Sequence, residues 1–259
     1  MNRVDACFRS CYNKSMSGYS YDKNFDVLYA DCNHRDEIKP SALLTYAQEV
    51  AGQSAAELGF GYDDTIKDGC GFFIATTYCE ILSPIHPNDT LRISSWPLPP
   101  RHVIFQRDYD FTREGKRVAA MASRWCLVEL ASGKMLPPER LKAHSATPYR
   151  NEQVTSPDFS LPKLKGEGER VYSMIVRPSH LDHFNHVNNT KYADFFMDCF
   201  SKAELERRIK SFRISYAKQV KAGEELTFFR KDTEGGVAFE ARTGEEVTTR
   251  FFVTFEEDA

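Results

Sequence analysis

The chain of 259 residues aligns with itself about halfway along, and this internal repeat constrains its fold more than any other feature. Asp36 falls on Asp182, and Tyr46 falls on Tyr192. In each half the order is a strand, a short polar turn that contains an acid, a helix and then further strands. Self-similarity of this kind is the sequence signature of repeated structural units. The repeat therefore predicts two similar units joined in one chain.

The first unit, residues 21–136, predicts one helix and five strands. Pro40 suits the first turn of the helix, because the N–H that proline lacks would have no partner there. Apolar residues follow at helical spacing: Leu43, Leu44, Ala47, Val50 and Ala51. A long loop is expected at residues 59–71 and a hairpin turn at residues 113–116. The strands are expected at residues 25–32, 72–82, 90–96, 103–112 and 118–130.

The second unit, residues 170–259, repeats this plan. A helix is expected at residues 189–200 and a short charged helix at residues 202–208. Strands are expected at residues 170–177, 212–220, 226–230, 237–243 and 247–255. Residues 137–169 are rich in Pro, Ser, Lys and Glu, which predicts a linker, and residues 1–20 predict a flexible extension. The result is an α+β architecture, whose halves we expect to pair as a pseudo-dimer that shares a continuous sheet.

Charge and cysteine usage exclude several classes of function. The net charge of −3 and the pI of about 6.2 give no global basic field, which argues against a nucleic-acid partner. The seven cysteines include no CxxC pair, so we expect a reducing, cytoplasmic location and no disulfide framework. No Cys/His quartet has the spacing of a metal site, and no cofactor is implied. No apolar run approaches the ~20 residues that span a bilayer.

Polar residues concentrate in the segment that precedes the second helix. Asp182 lies four residues before His186, and Asn188 or Asn189 can cap the helix that follows. The backbone amides near Val187, Asn188 and Asn189, together with the helix dipole, would then favour an anion just before the helix. A carboxylate, an imidazole and an anion site are the groups needed to attack a carbonyl and to hold the resulting oxyanion.

These residues resemble a known family, the acyl-acyl carrier protein thioesterases with a double hotdog fold. The resemblance covers residues 25–255. It implies two tandem hotdog domains, each an antiparallel sheet wrapped on a central helix. It also implies hydrolysis of the thioester between a fatty acyl chain and acyl carrier protein, which releases free fatty acid and ends chain elongation. The motifs that carry it are Asp182, His186-Val187-Asn188-Asn189, Lys191-Tyr192, Leu44-Thr45-Tyr46-Ala47-Gln48-Glu49, Ser95-Trp96-Pro97, Gln106-Arg107-Asp108 and Ser123-Arg124-Trp125.

The chain departs from the family pattern at two positions. The family commonly has an asparagine two residues before the histidine, where this chain has Phe184, with Asn185 one position later. A glutamate, sometimes followed by cysteine, is typical of a later strand, where this chain has Gln219 and Val220. A cysteine nucleophile is therefore excluded at that position, and an altered or weak activity would follow if the missing groups are not replaced.

The expected catalytic residues are Asp182, His186, Asn185 and Gln219. Asp182 can deprotonate a water or attack the carbonyl itself, and His186 can orient the water or donate to the oxyanion. Asn185 would replace the displaced amide, and Gln219 would hold the water by a hydrogen bond. The structural alternatives stay open, because Asp182 could only cap a turn and His186 could only close the entrance to the helix.

The first unit is expected to be non-catalytic. In the alignment of the two halves, the acid Asp182 is matched by Asp36, but His186 is matched by Pro40. Proline can neither carry nor orient a proton. We expect this unit to shape the acyl pocket through Phe72, Phe73, Ile74 and Trp96. Acyl carrier protein is acidic, so its docking surface should be basic. The candidates are Arg207 and Arg208, together with Lys202 and Lys210, and Arg101 and Arg107 are the rivals. A solvated helix surface is the alternative for Arg207 and Arg208.

Two other functions fit the same sequence. An acyl-coenzyme A thioesterase would share the chemistry and differ only in the partner of the leaving thiol. A degenerate acyl-binding protein with little turnover is favoured by Phe184, Gln219 and Val220. A hotdog dehydratase fits the Asp–His segment less well. The preferred chain length and any homo-oligomer stay open.

Overall fold

The computed structural model describes residues 18–166 and 168–256. Its helices are α1 (Pro40–Glu57), α2 (Tyr62–Lys67) and α3 (Lys191–Met197). Its first six strands are β1 (Tyr21–Asp26), β2 (Cys70–Ile81), β3 (Thr90–Pro97), β4 (Ile104–Arg113), β5 (Lys116–Glu129) and β6 (Met135–Leu136). The other five are β7 (Glu169–Ile175), β8 (Ile209–Tyr216), β9 (Glu225–Thr233), β10 (Gly236–Thr243) and β11 (Glu246–Phe255).

All these strands form one antiparallel sheet. Its order is β1-β3-β4-β5-β2-β8-β11-β10-β9-β7, with β6 added at β5. Read inward from each edge, the two halves have the same order, with β7 to β11 taking the places of β1 to β5. The halves join where β2 pairs with β8, from Thr76 opposite Ser215 to Glu80 opposite Ser211. The sheet is therefore continuous across the midline.

The helices pack on one face of this sheet and build a core that both halves share. Leu43 and Val50 of α1 are fully buried, and they belong to the same apolar cluster as Phe196 of α3. The ring of Phe196 stacks on Phe251 of β11, with ring centroids 4.9 Å apart. Because one core serves both halves, each half contributes to the stability of the other.

The segment between the halves crosses the opposite face of the sheet. Val154 packs there with Trp96 of β3, and Leu164 packs with Phe252 of β11. The indole N–H of Trp96 donates to the carbonyl oxygen of Glu152 at 2.9 Å. Both faces of the sheet are therefore covered, one by helices and the other by extended chain.

Several elements differ from the sequence predictions. The first strand ends at Asp26 rather than at residue 32, because the Asp31 carboxylate accepts the N–H of Leu28 and turns the chain into a 3-10 helix. The charged helix expected at residues 202–208 is only the 3-10 turn Glu204–Glu206. The loop expected at residues 59–71 contains α2, and α3 is shorter than the helix predicted at residues 189–200.

Other predictions are confirmed. The first helix begins at Pro40. The hairpin between β4 and β5 turns at Glu114 and Gly115, which both have positive φ, as a tight hairpin turn requires. Residues 1–17 of the expected extension lie outside the described residues.

Candidate active site

The Asp182 side chain organises the loop before α3. Its Oδ1 accepts the backbone N–H groups of Phe184 at 2.9 Å and of His186 at 3.3 Å. Its own N–H donates to the carbonyl oxygen of His186 at 2.8 Å. These bonds close a tight loop between Leu181 and Val187, which form an antiparallel bridge. One carboxylate oxygen is thus held by the backbone, which fixes the direction of the other.

Asn185 lies at the turn of this loop and not at the site. Its backbone has φ 64°, its N–H donates to the carbonyl oxygen of Asp182 at 3.0 Å, and its side chain is exposed. It is not among the residues that line the cavity described below. The expectation that Asn185 supplies a catalytic amide is therefore wrong. Asparagine suits this turn for a different reason, because it tolerates the left-handed backbone conformation well.

A cavity of about 780 Å³ opens beside this loop, between the two halves of the chain. Asp182, His186 and Gln219 of the second half line it. Its walls on the first half are mainly apolar, and they include the three neighbouring residues expected at the acyl pocket. The lining residues from β2 and α1 include Phe72, Phe73, Ile74, Ala51 and Ala55. Polar and apolar groups thus meet in one cavity.

Trp96, also expected at the acyl pocket, lies elsewhere. It is buried on the other face of the sheet, where it packs with Leu98, Ala120 and Val154. The Arg150 guanidinium covers its ring at 4.0 Å from the centroid. Successive residues of a strand point to opposite faces, and the hydroxyl of the neighbour Ser95 accepts from Arg107, which also donates to Ser54 of α1. The prediction for Trp96 is therefore corrected: it anchors the connecting segment.

The backbone amides at the start of α3 are only partly free. The N–H of Val187 donates to the carbonyl oxygen of Val220 and that of Asn188 to His180, both at 2.9 Å. Neither can serve an oxyanion without breaking these bonds, which corrects the prediction for both. Among the described residues, the N–H of Asn189 makes no hydrogen bond, and Asn189 lines the cavity.

The cap of α3 also differs from the prediction. The N-cap residue is Thr190, without a side-chain cap bond. The Oδ1 of Asn188 instead accepts the N–H of Thr190 at 3.0 Å and thus forms a turn before the helix. With seven residues, α3 is too short for its dipole to make an anion site by itself.

His186 has an unused ring nitrogen. Its Nδ1 is buried and has no hydrogen-bond partner among the described residues. A buried polar atom without a partner is costly, and such atoms occur where a ligand or water completes the site. The hydroxyl of Tyr216 donates to the carbonyl oxygen of Asn189 at 3.0 Å and holds the peptide beside the cavity. Gln219 is exposed, so it lies at the mouth.

An aromatic group narrows the mouth of the cavity. Tyr62 of α2 meets His183 at a centroid distance of 5.0 Å and Phe184 at 5.4 Å. Phe73 lies 6.1 Å from Phe184 on the other side. Phe184, which stands where the family has an amide, therefore contributes an apolar wall. Tyr62 is not among the residues predicted at the site, because the sequence predicts a loop at residues 59–71.

The first half contains the same loop with different side chains. The Oδ1 of Asn33 accepts the N–H groups of Arg35 at 2.8 Å and of Glu37 at 3.2 Å, and the N–H of Asn33 donates to the carbonyl oxygen of Glu37. This is the pattern of Asp182, Phe184 and His186. Asn33 therefore takes the place of Asp182, and Glu37 takes that of His186. The alignment of Asp36 with Asp182 and of Pro40 with His186 is wrong at this loop.

Arg207 and Arg208 lie at the first-half loop. They line a smaller cavity of about 330 Å³ with Asn33 and Glu37, and neither lines the larger cavity. Arg208 pairs with Glu37 at 3.5 Å and with Glu256 at 3.2 Å. The guanidinium of Arg207 covers the ring of Phe255 at 4.9 Å. The two arginines are thus separate from the mouth beside His186.

Residues 18–166 and 168–256 hold no group of three or more His, Cys, Asp or Glu side chains that could bind a metal ion. Within the same ranges, no helix is both long and apolar enough to cross a bilayer.

A held carboxylate and an imidazole whose Nδ1 has no partner among the described residues lie beside a mainly apolar cavity, an arrangement suited to a hydrolase that acts on acyl groups. Residues 18–137 match the family model of the acyl-ACP thioesterase N-terminal domain, and residues 165–258 match that of the C-terminal domain. The chain therefore belongs to the acyl-ACP thioesterase family, and its reaction is the hydrolysis of fatty acyl-ACP.

Solved structures with the same fold include two of this family. The acyl-ACP thioesterase from Bacteroides thetaiotaomicron is 18% identical, with a TM-score of 0.83 over 92% of this chain and 98% of that one. The 12:0-ACP thioesterase from Umbellularia californica is 16% identical, with a TM-score of 0.84 over 95% of this chain and 100% of that one. A search of curated proteins found no match.

Proposed function

We propose that the chain is a double hotdog thioesterase in which the two halves have different tasks. Residues 170–259 supply the catalytic groups, residues 21–136 hold the acyl chain, and residues 137–169 link them. One observation carries this division: Asp182 and His186 share a single cavity with the apolar residues of β2 and α1. The loop of the first half has Asn33 and Glu37 instead, which form no carboxylate–imidazole pair.

The geometry supports a defined set of roles. A water held by the free oxygen of Asp182 attacks the thioester carbonyl while Asp182 takes its proton. His186 and the N–H of Asn189 hold the oxyanion, at roughly 3 kcal/mol for each donor. The C–S bond then breaks, the protonated Asp182 returns its proton to the thiolate of the phosphopantetheine arm, and the free fatty acid remains. Direct attack by Asp182 through an anhydride is the alternative.

Acyl carrier protein is the partner in this proposal. Its acidic surface requires basic residues near its docking site. Arg207 is exposed, whereas Arg208 is half-buried between two carboxylates, so Arg207 is the better candidate. If it contributes, Arg207→Glu should raise KM for acyl-ACP and flatten the salt dependence, with acyl-pantetheine hydrolysis unchanged. An unaltered KM would remove this surface from the proposal.

A second candidate function has specific support. Phe184 and Gln219 replace two groups that the family uses, and neither can accept a proton from water. A protein that binds acyl thioesters with little turnover would fit these departures. Incubation with a ladder of acyl-ACP substrates separates the two functions, because an active enzyme releases free fatty acid while a binding protein retains the thioester.

The same experiment, repeated with acyl-coenzyme A, tests the partner. We expect a higher kcat/KM for acyl-ACP at every chain length. Equal or higher values with coenzyme A would identify the protein as an acyl-coenzyme A thioesterase instead. Absence of fatty acid from either substrate, with tight binding of both, would leave only the binding function.

A further inference from the structure

Arg107 of β4 is a buried cation without an acidic partner. Its side chain is almost fully buried, and its Nη1 donates to the hydroxyls of Ser54 at 2.8 Å and Ser95 at 3.2 Å. Among the described residues, no carboxylate forms an ion pair with it. Burial accordingly lowers the pKa of this guanidinium. Tyr109 and Tyr19 lie near enough to offset part of this effect. The remaining N–H groups of the guanidinium still need oxygen atoms as acceptors, which water or a ligand can supply.

Arg107 belongs to a row of residues that crosses the sheet. Residues directly opposite each other in antiparallel strands share one face. Three members of the row come from the first half and three from the second. In order they are Arg107, Ser123, Thr77, Ile214, Phe251 and Phe239.

The second half shows what this row contains when no cavity lies beside it. Because β4 matches β10 in the order of the sheet, Phe239 takes the place of Arg107, and Phe251 that of Ser123. Both rings are buried in the aromatic core. The fold therefore accepts hydrocarbon at these positions and does not require a polar row. In the first half even Thr77 has a buried hydroxyl without a partner.

Arg107 is the polar member of this row that lines the cavity, and it does so on the side formed by β4. Arg107 lines the cavity together with Phe105 and Trp125, whereas the catalytic loop lines it near the end of β8. Two strands, β5 and β2, separate β4 from β8. With about 4.8 Å between neighbouring strands, Arg107 is ~14 Å across the sheet from β8. The apolar walls occupy this span.

Two opposing effects decide how far an acyl chain can enter the cavity: the burial of its methylenes and the displacement of water from Arg107. Each methylene that leaves water for the apolar part gains about fourfold in affinity. A methyl end that reaches Arg107 displaces the water around the guanidinium and offers no hydrogen-bond acceptor in return. An oxygen atom at the far end of the acyl chain can instead take the place of that water as a hydrogen-bond acceptor for the guanidinium.

We infer that Arg107 sets the limit of the acyl chain. Methyl-ended chains stop short of its guanidinium, whereas a chain one step longer that ends in a carboxylate reaches it. This inference rests on the proposed function for the position of the thioester. It adds a substrate class, acyl thioesters with a distal oxygen, and it assigns specificity to a residue of the non-catalytic half.

Binding can be measured without turnover. Amide analogues of acyl-pantetheine, in which nitrogen replaces sulfur, are titrated into the full-length protein by calorimetry over a ladder of chain lengths. We expect the affinity of methyl-ended analogues to rise by about fourfold per methylene and then to level off at a limit. One step beyond the limit, the carboxylate-ended analogue should bind at least about tenfold more tightly than its methyl-ended counterpart.

Two variants test the residue itself. Arg107→Met should move the limit to longer methyl-ended chains and abolish the preference for a distal carboxylate, while Arg107→Lys should keep both. An unchanged limit in Arg107→Met would overturn the inference. If Arg107→Met does not fold, the wild-type series decides alone, and tighter binding of the methyl-ended analogue at every length overturns it. Normal binding without hydrolysis of acyl-ACP would contradict the proposed function and leave this inference standing.

Discussion

Asp108 and Glu240 hold the connecting segment to the sheet by the same kind of bond. The Oδ2 of Asp108 accepts the N–H of Val154 at 2.8 Å, and the Oε1 of Glu240 accepts the N–H of Leu164 at 3.3 Å. Both carboxylates are buried, and they lie on the matching strands β4 and β10. Each half of the sheet thus fixes one part of the chain that joins them.

The two carboxylates nevertheless differ in charge balance. Burial raises the pKa of Asp108, and the hydrogen bonds from Gln106 and the N–H of Val154 do not offset this effect. Burial also raises the pKa of Glu240, but hydrogen bonds from Arg242, the N–H of Leu164 and Arg250 outweigh it and leave the pKa lowered. Their contributions to stability therefore depend on pH with opposite sign.

Asp108→Asn should make the free energy of unfolding fall less steeply with rising pH than it does in the wild-type protein. With its pKa raised in the folded state, Asp108 binds a proton more readily there than in the unfolded chain. The free energy of unfolding therefore falls as pH rises from the unfolded pKa through the folded one. Asparagine can still accept the N–H of Val154 without this dependence. Urea unfolding between about pH 4 and pH 7 measures the effect. An identical pH profile in both proteins would contradict it.

Glu240→Gln should destabilise the protein by about 3 kcal/mol near neutral pH, because it leaves Arg242 and Arg250 without their carboxylate. A lowered pKa contributes stability above the unfolded pKa, and this contribution is lost as pH falls through the folded pKa. The difference from wild type should therefore shrink in acid. Glu246→Gln, at an exposed pair with Lys218, is the control and should change stability by less than about 1 kcal/mol.

Asp182→Asn should lower kcat by about a hundredfold or more and leave the melting temperature nearly unchanged. Asparagine keeps an Oδ1 that can accept the N–H groups of Phe184 and His186, so the loop persists. What is lost is the second, ionised oxygen. Steady-state kinetics with acyl-ACP and a thermal melt provide the two measurements. Near-normal hydrolysis would refute the assignment of Asp182.

Gln219→Glu should raise kcat by about tenfold, since it places a second carboxylate at the mouth where the amide can only hold water. The gain should appear as the new carboxylate ionises with rising pH. Both the shape of the pH–rate profile and its maximum should therefore change. Gln219→Met, of similar length and without polar hydrogen-bond capacity, is the matched control and should lower kcat. Equal rates in all three proteins would place residue 219 outside the reaction.

Phe72→Ala and Trp96→Ala should have different effects, because the two rings lie on opposite faces of the sheet. Phe72→Ala enlarges the cavity and should shift the chain-length profile of hydrolysis. Trp96→Ala should cost about 3–5 kcal/mol of stability and leave the profile of the folded enzyme unchanged. A shifted profile in Trp96→Ala would return that ring to the acyl site.

Most of the strands and the start of the first helix could be predicted because their signals are local. Apolar periodicity, Pro40 and the Glu114–Gly115 turn require no knowledge of distant residues. The face on which Trp96 lies could not be predicted, because the connecting segment buries the outer face of the sheet, so apolar residues occur on both sides of β3.

The matching of the two catalytic-type loops shows a second limit. Asn33 and Asp182 make the same backbone bonds, but they differ in charge, and Glu37 differs from His186 in chemistry. Alignment by residue type pairs Asp182 with Asp36, because both are acids. The equivalence lies in hydrogen bonds, which only coordinates reveal. Asn185 was misplaced for a related reason, since its role follows from its backbone conformation.

The junction of β2 with β8 has a consequence for how such a protein can change. In a dimer of identical subunits, every substitution appears twice, so a cation introduced to shape one chamber would also enter its twin. Here the two halves are encoded separately, and Phe239 stands at the position of the second half that matches Arg107 of the first. Fusion into one polypeptide therefore lets the same position carry a guanidinium in one half and a phenyl ring in the other.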